Sequence, residues 1–210
     1  MPAEEWGSEE FAQRYLSRAD GYPRRDEGER ALLEFVPAGA RRVLDLGTGD
    51  GRLLALVLAD GPMRGVGVDV SEPMLRAAAT RFGDDARVEL LRHDLVEPLP
   101  ELGRFDVVVS SFAIHHLEND RKRALYGEIF DALEPGGLFA NLEHVASPSE
   151  RLNLAFIAAI GETPEEADPS DRTLDVWTQV GWLRELGFED ADCHWKWREM
   201  ALLGGVKPIA

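Results

Sequence analysis

Residues 42–54 read Arg-Val-Leu-Asp-Leu-Gly-Thr-Gly-Asp-Gly-Arg-Leu-Leu. The apolar residues before the first glycine predict a buried strand, and the leucines after the third glycine predict the start of a helix. Between them, Gly47, Gly49 and Gly51 stand at alternate positions and predict a tight turn. Because glycine has no Cβ, a ligand can approach this backbone closely. A strand, a glycine turn and a helix in this order are typical of a nucleotide-binding site.

The glycine spacing bears on which nucleotide could bind. A dinucleotide fingerprint requires Gly-x-Gly-x-x-Gly, but Arg52 occupies the position of the third glycine here. Asp45 precedes the turn, and we expect Asp50 at the N-cap of the next helix. Two carboxylates would repel a pyrophosphate in a partly desolvated pocket, whereas they favour a ligand that carries positive charge. The alternative is a tight turn that binds no ligand.

Composition limits the class of protein. The chain has 210 residues, of which 44% are hydrophobic, and this suits one domain with a sizeable core. The net charge of −16 would repel RNA or DNA, so nucleic acid is an unfavourable substrate. Cys193 is the one cysteine, which excludes an internal disulfide and a cysteine metal site. Because we find no signal peptide and no apolar run of membrane-spanning length, we expect a cytoplasmic protein without a membrane partner.

Strand and helix patterns alternate along the rest of the chain. The apolar run of the fourth predicted strand, residues 105–112, suits a central position in a parallel sheet. The alternation, closed by a hairpin, predicts an α/β fold: a Rossmann-like seven-stranded mostly parallel sheet with helices on both faces and a C-terminal antiparallel hairpin. The other predicted strands are 65–70, 87–91, 138–145, 193–197 and 200–206, and the later predicted helices are 120–133, 152–160 and 177–186.

Several motifs together resemble the class I S-adenosylmethionine-dependent methyltransferases that act on small molecules. They are Asp45-x-Gly47-x-Gly49-x-Gly51, Phe105-Asp106-Val107-Val108, His115-His116-Leu117 and Leu133-x-Pro135-Gly136-Gly137. The resemblance covers residues 40–145 most fully and the C-terminal hairpin less fully. It implies that S-adenosyl-L-methionine is the cofactor and that a small molecule accepts the methyl group. It leaves the acceptor, the methylated atom and the oligomeric state open.

The resemblance also implies which residues bind the cofactor. Asp69, at the end of the second strand, has the position of an acid that accepts hydrogen bonds from a ribose. The alternative role for Asp69 is the N-cap of the following helix, but Ser71 suits that role better. Asp94, just past the third strand, has the position of an acid that accepts from the adenine amine, and we expect its neighbour His93 to be exposed. The full expected set is Asp45, Gly47, Thr48, Gly49, Asp69, Val70, Met74, Asp94, Leu95, Ser110, Ser111 and Arg24.

Arg24 belongs to this set for a different reason. It lies in a turn between two predicted N-terminal helices, one around Phe11, Tyr15 and Leu16 and one around 31–36. In many relatives such a segment covers the cofactor, so we expect Arg24 to meet the cofactor's carboxylate, with Arg25 as the alternative.

Candidate catalytic groups follow the fourth and fifth predicted strands. His115 and His116 are candidate general bases because imidazole titrates near neutral pH. Glu143 is the third candidate, and His144 follows it. The alternatives are helix capping for the histidines and core hydrogen bonding for Glu143. No metal is expected, because the acidic triad of the metal-dependent catechol-type methyltransferases is not evident; a metal site built from His115, His116 and Glu143 is the alternative.

We expect residues 1–210 to form a single methyltransferase domain. Its expected parts are a helical cap at 1–36, a cofactor-binding core at 40–145, a helix and acidic loop at 146–176, and a final helix and hairpin at 177–210. The acidic residues 161–172 are either a lid or an inert insertion. Three other functions stay open: a tRNA-modifying methyltransferase, a non-catalytic S-adenosylmethionine-binding protein and an NAD-dependent oxidoreductase.

Overall fold

The computed structural model of the chain describes residues 8–10, 12, 21–59, 61–166 and 168–209. The helix predicted around Phe11, Tyr15 and Leu16 therefore lies outside the described residues. No helix in the described part combines the length and apolar character needed to cross a bilayer.

The strands are β1 Arg42–Leu46, β2 Arg64–Asp69, β3 Val88–Arg92, β4 Phe105–Ser111, β5 Leu133–His144, β6 Glu189–Trp197 and β7 Met200–Val206. The helices are α1 Arg25–Phe35, α2 Arg52–Leu58, α3 Glu72–Phe82, α4 Asn119–Ala132, α5 Glu150–Ala159 and α6 Val176–Leu186, with 3₁₀ turns at Ile114–His116 and Pro164–Glu166.

The seven strands form one sheet in the order β3-β2-β1-β4-β5-β7-β6. Strands β1 to β5 are parallel to one another, and β7 runs antiparallel between β5 and β6. This confirms the predicted fold class. The strand order reverses direction at β1, which lies between β2 and β4. In open α/β sheets, ligands bind outside the carboxyl ends of the strands at this kind of switch point.

Both faces of the sheet are covered by helices. Val43 of β1 packs in a buried cluster with Leu32 of α1 and Leu54 of α2. The next residue, Leu44, points to the opposite face and packs in a cluster with residues of α4 and α6, including Tyr126. Because successive side chains in a strand alternate between faces, a continuous apolar strand requires apolar partners on both sides. The sheet is therefore the middle layer of three.

The boundary between α4 and β5 differs from the prediction. We expected Pro135-Gly136-Gly137 to separate the helix from the strand, but α4 ends at Ala132 and β5 begins at Leu133. Gly136 donates its N–H to the carbonyl of Lys207 at 2.8 Å, and Lys207 donates back to Gly137 at 2.8 Å. These bonds extend the β5 ladder across the Pro-Gly-Gly segment, which the sequence pattern alone assigns to a turn.

The predicted ends of the helices are confirmed in part. Ser71 caps α3 by accepting from the N–H of Met74 at 3.5 Å, and Gly187 ends α6 with a φ of 96°. The prediction that Asp50 is the N-cap of α2 is wrong. That position belongs to Gly51, whose φ of 79° favours glycine, and Asp50 Oδ1 accepts from the N–H of Arg52 at 3.2 Å.

A buried carboxylate holds α1 against α2. Glu29 is only 2% exposed, and it accepts from Arg25 at 2.9 Å and from two nitrogens of Arg52 at 2.8 and 2.9 Å. The side chain of Arg52, which breaks the dinucleotide fingerprint, thus makes a structural contact. These bonds fix α1, and they place residues 21–24 beside the carboxyl ends of the strands.

Candidate active site

The glycine turn after β1 is held against the end of β2. The N–H groups of Gly47 and Thr48 both donate to the carbonyl of Val68 at 2.9 Å. Gly47 has a φ of 69°, and a Cβ added there would lie 2.2 Å from the Cβ of Ala113. Only glycine therefore fits at this position, because the turn passes directly beneath the segment that follows β4.

Asp69 connects this turn to the end of β2. Its Oδ2 accepts from the N–H of Gly49 and its Oδ1 accepts from the N–H of Ser71, both at 2.8 Å. Burial raises the pKa of Asp69, and the backbone donors oppose that rise. Each carboxylate oxygen has a second lone pair, so Asp69 can still accept hydrogen bonds from ligand hydroxyls.

A first cavity of about 130 Å³ opens at these carboxyl ends. Eight of the twelve residues expected to bind the cofactor line it: Gly47, Gly49, Asp69, Val70, Met74, Asp94, Leu95 and Ser111. Ser111 Oγ is buried and has no hydrogen-bond partner among the described residues. An orphaned hydroxyl on a cavity wall fits a ligand that supplies the missing partner.

The other expected residues are placed differently. Ser110 is fully buried, and its hydroxyl donates to the carbonyl of Leu46 at 2.7 Å, which ties β4 to β1. Thr48 is 5% exposed and donates to Asp45 Oδ2 at 2.7 Å. The structure thus gives Ser110 and Thr48 hydrogen bonds inside the fold and does not bring them to the wall of the first cavity.

Asp45 lies just behind the glycine turn and is 1% exposed. Its Oδ1 has no hydrogen-bond partner among the described residues. Burial raises the pKa of Asp45 to about 7, although the hydroxyl of Thr48 counteracts part of that rise. An unpartnered buried carboxyl fits a nearby ligand that carries positive charge, because such a charge would stabilise the ionised form.

The structure does not bring Arg24 into the first cavity. Its guanidinium is half exposed, pairs with Glu27 at 3.1 Å, and lies 5.9 Å from the ring centroid of Trp197. The alternative, Arg25, is buried and lies 5.5 Å from the centroid of Phe112, which lines the first cavity. Of the two arginines in this turn, Arg25 is therefore the closer to the site.

His93 is a residue whose place the sequence analysis missed. We expected it to be exposed, but it is half-buried on the wall of the first cavity. Its Nε2 is buried and has no hydrogen-bond partner among the described residues. The sequence feature that could have placed His93 at the cavity is its position directly after β3 and before Asp94, at the end of the sheet where ligands bind.

A second cavity of about 310 Å³ adjoins the first. Phe112 and His116 line both cavities. Phe112 has a φ of 51°, which is rare for a residue other than glycine and which turns the chain sharply at the end of β4. Tyr22 stacks on Phe112 with ring centroids 6.3 Å apart and donates to Glu162 at 3.4 Å, so the N-terminal turn forms part of the second cavity's wall.

His115 lies between two carboxylates. Its Nδ1 is 2.6 Å from Glu143 Oε1, and its Nε2 is 3.4 Å from Asp171 Oδ1. Burial alone would lower the pKa of His115, but Glu143 and Asp171 outweigh burial and raise that pKa to about 10. In the chain without a bound cation, His115 is then an imidazolium at neutral pH and has no lone pair to accept a proton. The arrangement therefore does not favour the predicted role of His115 as a general base.

His116 has the opposite protonation state. Burial and the neighbouring His115 lower the pKa of His116 to about 2. Ser170 donates its single hydroxyl hydrogen to Asp168 at 2.6 Å, so its oxygen accepts from the Nδ1–H of His116 at 3.0 Å. This network selects the neutral tautomer of His116 in which Nε2 carries the lone pair. His116 is thus a neutral imidazole on the wall common to both cavities.

Asp171 and His144 complete a polar cluster in the second cavity. His144 Nδ1 is 3.2 Å from Asp171 Oδ2, and its Nε2 is 3.0 Å from Glu199 Oε2. Burial would lower the pKa of His144 and raise that of Asp171. Hydrogen bonds to Asp171 and Glu199 instead raise the pKa of His144, and hydrogen bonds from His115 and His144 lower the pKa of Asp171. The N–H of Arg172 donates to the carbonyl of His115 at 3.0 Å, which docks the Asp171 loop on the 3₁₀ turn.

Comparisons with known proteins bear on the family. A family profile described as a methyltransferase domain matches residues 43–137. An uncharacterised methyltransferase of Geobacillus is 31% identical over 198 residues, which cover 86% of this chain and 87% of the relative. The chain belongs to the class I S-adenosylmethionine-dependent methyltransferases. The cofactor of this family is S-adenosylmethionine.

Two other relatives of the chain match over shorter segments, and one solved structure shares its fold. An uncharacterised methyltransferase of Mycobacterium tuberculosis is 43% identical over 126 residues, and the match covers 59% of this chain but only 61% of the relative's length. A tRNA U34 carboxymethyltransferase of Vibrio cholerae is 37% identical over 91 residues, or 42% of this chain and 28% of the relative. An O-methyltransferase family protein of Burkholderia thailandensis shares the fold, with a TM-score of 0.75, 20% identity and coverage of 97% of this chain and 61% of its own.

The first cavity suits the family's cofactor chemically. Carboxylates of Asp69 and Asp94 stand on its wall and can accept from the hydroxyl and amine donors of an adenosine. Apolar side chains of Val70, Met74 and Leu95 provide contacts for a flat base. The unpartnered hydroxyl of Ser111 on this wall can form a hydrogen bond with a polar group of the cofactor.

Proposed function

We propose that this methyltransferase binds S-adenosylmethionine in the first cavity and transfers its methyl group to a small molecule in the second. The observation that carries this proposal is the wall that Phe112 and His116 share between the two cavities. Ligands in adjoining cavities can approach each other only across this wall, so in-line transfer would take place beside His116. A volume of about 310 Å³ is large enough for a small organic acceptor.

The proposed cofactor contacts follow the lining of the first cavity. Asp69 accepts from the ribose hydroxyls, and Asp94 accepts from the adenine amine while Met74 packs against the ring. Gly47 and Gly49 let the backbone approach the amino-acid end of the cofactor, near the buried carboxyl of Asp45. Arg25, rather than Arg24, is the cation that we assign to the cofactor's carboxylate side.

Sulfonium activation supplies an electrophilic methyl carbon. When bound, S-adenosylmethionine would supply this methyl carbon to the acceptor atom, and the electron pair of the broken carbon–sulfur bond would stay with the sulfur of the S-adenosylhomocysteine product. His116 Nε2, the neutral imidazole nitrogen at the shared wall, takes the proton that the acceptor loses, although burial and His115 lower the pKa of His116 and so reduce its strength as a base. The network of Asp168 and Ser170 holds His116 in the tautomer that this step requires. Glu143 orients His115, so we assign these two residues a positioning role.

The N-terminal segment and the acidic loop have supporting roles in this proposal. Residues 21–36 of the predicted N-terminal cap cover the site, because Tyr22 stacks on Phe112 at the cavity wall. The loop within 161–172 closes the second cavity, because Glu162, Asp168 and Asp171 all line it. The chain then functions as one methyltransferase domain with the core at 40–145.

Transfer to tRNA is the second candidate, and the Vibrio relative supports it. The net charge of −16 opposes it, since phosphate backbones are bound by basic surfaces. The described residues that line the second cavity include no Lys or Arg. A small acceptor therefore agrees better with the electrostatics of this site.

An acceptor screen with a blocked cavity tests the proposal. The wild-type chain is incubated with S-adenosylmethionine and either pools of small hydroxyl, amine and carbon acids or bulk tRNA, and S-adenosylhomocysteine is quantified. Ile160→Trp places a large ring in the second cavity, so it should abolish turnover on any small acceptor found and leave S-adenosylhomocysteine binding unchanged. Methylation of tRNA alone, or small-molecule turnover unaffected by Ile160→Trp, would contradict the proposal.

A further inference from the structure

We propose that His115, His144 and Asp171 bind a divalent transition-metal ion on the wall of the second cavity. The potential ligand atoms of these three residues all lie within 4.8 Å of one another. Two imidazoles and one carboxylate are a donor set that suits zinc or non-haem iron and leaves positions open for another ligand.

The spacing of the ligand atoms suits a single ion. His115 Nε2 is 3.4 Å from Asp171 Oδ1, and His144 Nδ1 is 3.2 Å from Asp171 Oδ2. An ion at about 2.0–2.2 Å from each ligand places neighbouring ligand atoms about 3 to 3.5 Å apart. The three side chains would therefore need only small rotations to share one ion.

The second nitrogen of each histidine supports the same assignment. His115 places its Nδ1 at 2.6 Å from Glu143, and His144 places its Nε2 at 3.0 Å from Glu199. Both glutamates are almost fully buried, at 1% and 2% exposure. Histidines that bind metals usually donate their other ring N–H to a carboxylate, which fixes the tautomer and directs the free nitrogen to the ion. Here both histidines have that partner, and both remaining nitrogens face Asp171.

The charge of the cavity favours a cation. The carboxylates on its described wall are Glu162, Asp168, Asp171 and Glu199. The only other titratable groups on this described wall are Tyr22, His115, His116 and His144. A divalent ion would offset part of this negative charge. The amide of Asn153 and the hydroxyl of Ser147 already donate to Glu199, so this second carboxylate is held in place for His144.

The position of the ion indicates a class of acceptor, and this step rests on the proposed function. His115, His144 and Asp171 all line the second cavity, so the open coordination positions face the space assigned to the acceptor. Two neighbouring oxygen atoms, as in a vicinal diol or a hydroxy-ketone, could bind there together. The apolar wall of Phe156 and Ile157 would contact the acceptor's hydrocarbon part.

The arrangement of these side chains also has an explanation without a metal ion. In that case His115 is an imidazolium that pairs with Glu143 and Asp171, and the second cavity binds an amine. Metal binding distinguishes the two. The full chain, freed of any purification tag and stripped with a chelator, is titrated with Co²⁺ and Zn²⁺ at a fixed, mildly alkaline pH. We expect one equivalent to bind, with visible Co²⁺ absorption bands that Zn²⁺ abolishes.

Variants of the site make this test specific. Asp171→Asn and His144→Ala should remove the Co²⁺ bands, and Glu143→Gln should weaken binding about 10- to 100-fold through the orientation of His115. His194→Ala and Asp120→Asn change a histidine and a carboxylate outside the cluster and should bind as the wild type does. Circular dichroism confirms that each variant is folded.

S-adenosylhomocysteine titration of the same samples separates the two proposals. Binding of S-adenosylhomocysteine without any stoichiometric metal would overturn the metal site and leave the proposed function intact. Stoichiometric Co²⁺ binding that is lost in Asp171→Asn, without S-adenosylhomocysteine binding, would support the metal site and contradict the proposed function. Co²⁺ binding that Asp171→Asn and His144→Ala leave unchanged would overturn the assignment of these ligands.

Discussion

Gly49 donates its backbone N–H to Asp69 Oδ2 at 2.8 Å, and this bond joins the turn after β1 to the end of β2. The bond leaves lone pairs of Asp69 directed at the first cavity, where the proposed function places a ribose.

We therefore predict that Asp69→Ala weakens S-adenosylhomocysteine binding by roughly 10- to 100-fold, since a hydrogen bond to a charged group contributes about 1.5–3 kcal/mol. Isothermal titration measures this loss. Asp84 is an exposed acid two residues after the end of α3, so Asp84→Ala is the matched control and should bind normally. Equal affinity of the Asp69 variant and the control would remove the ribose assignment.

Gly47→Ala should lower the free energy of unfolding. The new methyl group would lie 2.2 Å from the Cβ of Ala113, at a φ of 69°. Gly83 has a similar φ of 55° but open space around it, so Gly83→Ala tests the backbone strain alone. We expect urea unfolding to show a loss of about 1–3 kcal/mol for Gly83→Ala, whose ψ of −126° lies outside the left-handed helical region, and a larger loss for Gly47→Ala. Equal losses would show that the contact with Ala113 relaxes freely.

The stability of the chain should depend on Asp45 between about pH 4 and pH 7. Burial raises the pKa of Asp45 from 3.8 to about 7, so the folded state binds a proton that the unfolded state releases. The stabilisation that comes from this bound proton is fully present below pH 3.8. It is lost as pH rises towards 7, and the unfolding free energy then falls by about 4 kcal/mol in all. Asp45→Asn should therefore flatten the decline of unfolding free energy with pH over this range.

Urea unfolding at several pH values measures that slope. The exposed Asp120→Asn variant on α4 should keep the wild-type slope, because it leaves the buried carboxyl in place. A parallel decline in the wild type and in Asp45→Asn would show that other groups cause the pH dependence.

His116→Gln should slow methyl transfer without weakening cofactor binding. General-base catalysis contributes typically 10²- to 10⁴-fold, and His116 is the neutral imidazole at the wall between the cavities. Ser170→Ala should reduce kcat less, because it removes only the hydrogen bond that selects the tautomer. The release of S-adenosylhomocysteine measures the turnover of both variants, and His194→Gln is the control. Wild-type turnover of His116→Gln on an oxygen acceptor would show that His116 is not the base.

Local patterns were sufficient to predict most of the fold. The apolar runs of β1 and β4, the glycine turn and the cap at Ser71 depend on neighbours in the sequence, and the structure places them as expected. The positions of Asp69 and Asp94 at the carboxyl ends of strands were predictable for the same reason, since Asp69 is the last residue of β2 and Asp94 lies two residues after the end of β3.

Contacts between distant segments could not be read in this way. Asp171 meets His115 and His144 only because the loop before α6 docks on the turn after β4. The pairing of Gly136 with Lys207 likewise extends β5 through a Pro-Gly-Gly segment that is locally a turn signal. The direction of the Arg24 side chain likewise depends on Trp197, which is distant in the sequence and lies 5.9 Å from the Arg24 guanidinium.

The most direct test of the central claim is calorimetric titration of the chain with S-adenosylmethionine and S-adenosylhomocysteine, with NAD as the control. We predict micromolar, one-to-one binding of the first two and no heat with NAD. Binding of NAD, or of none of the three, would contradict the account of the first cavity as a site for S-adenosylmethionine.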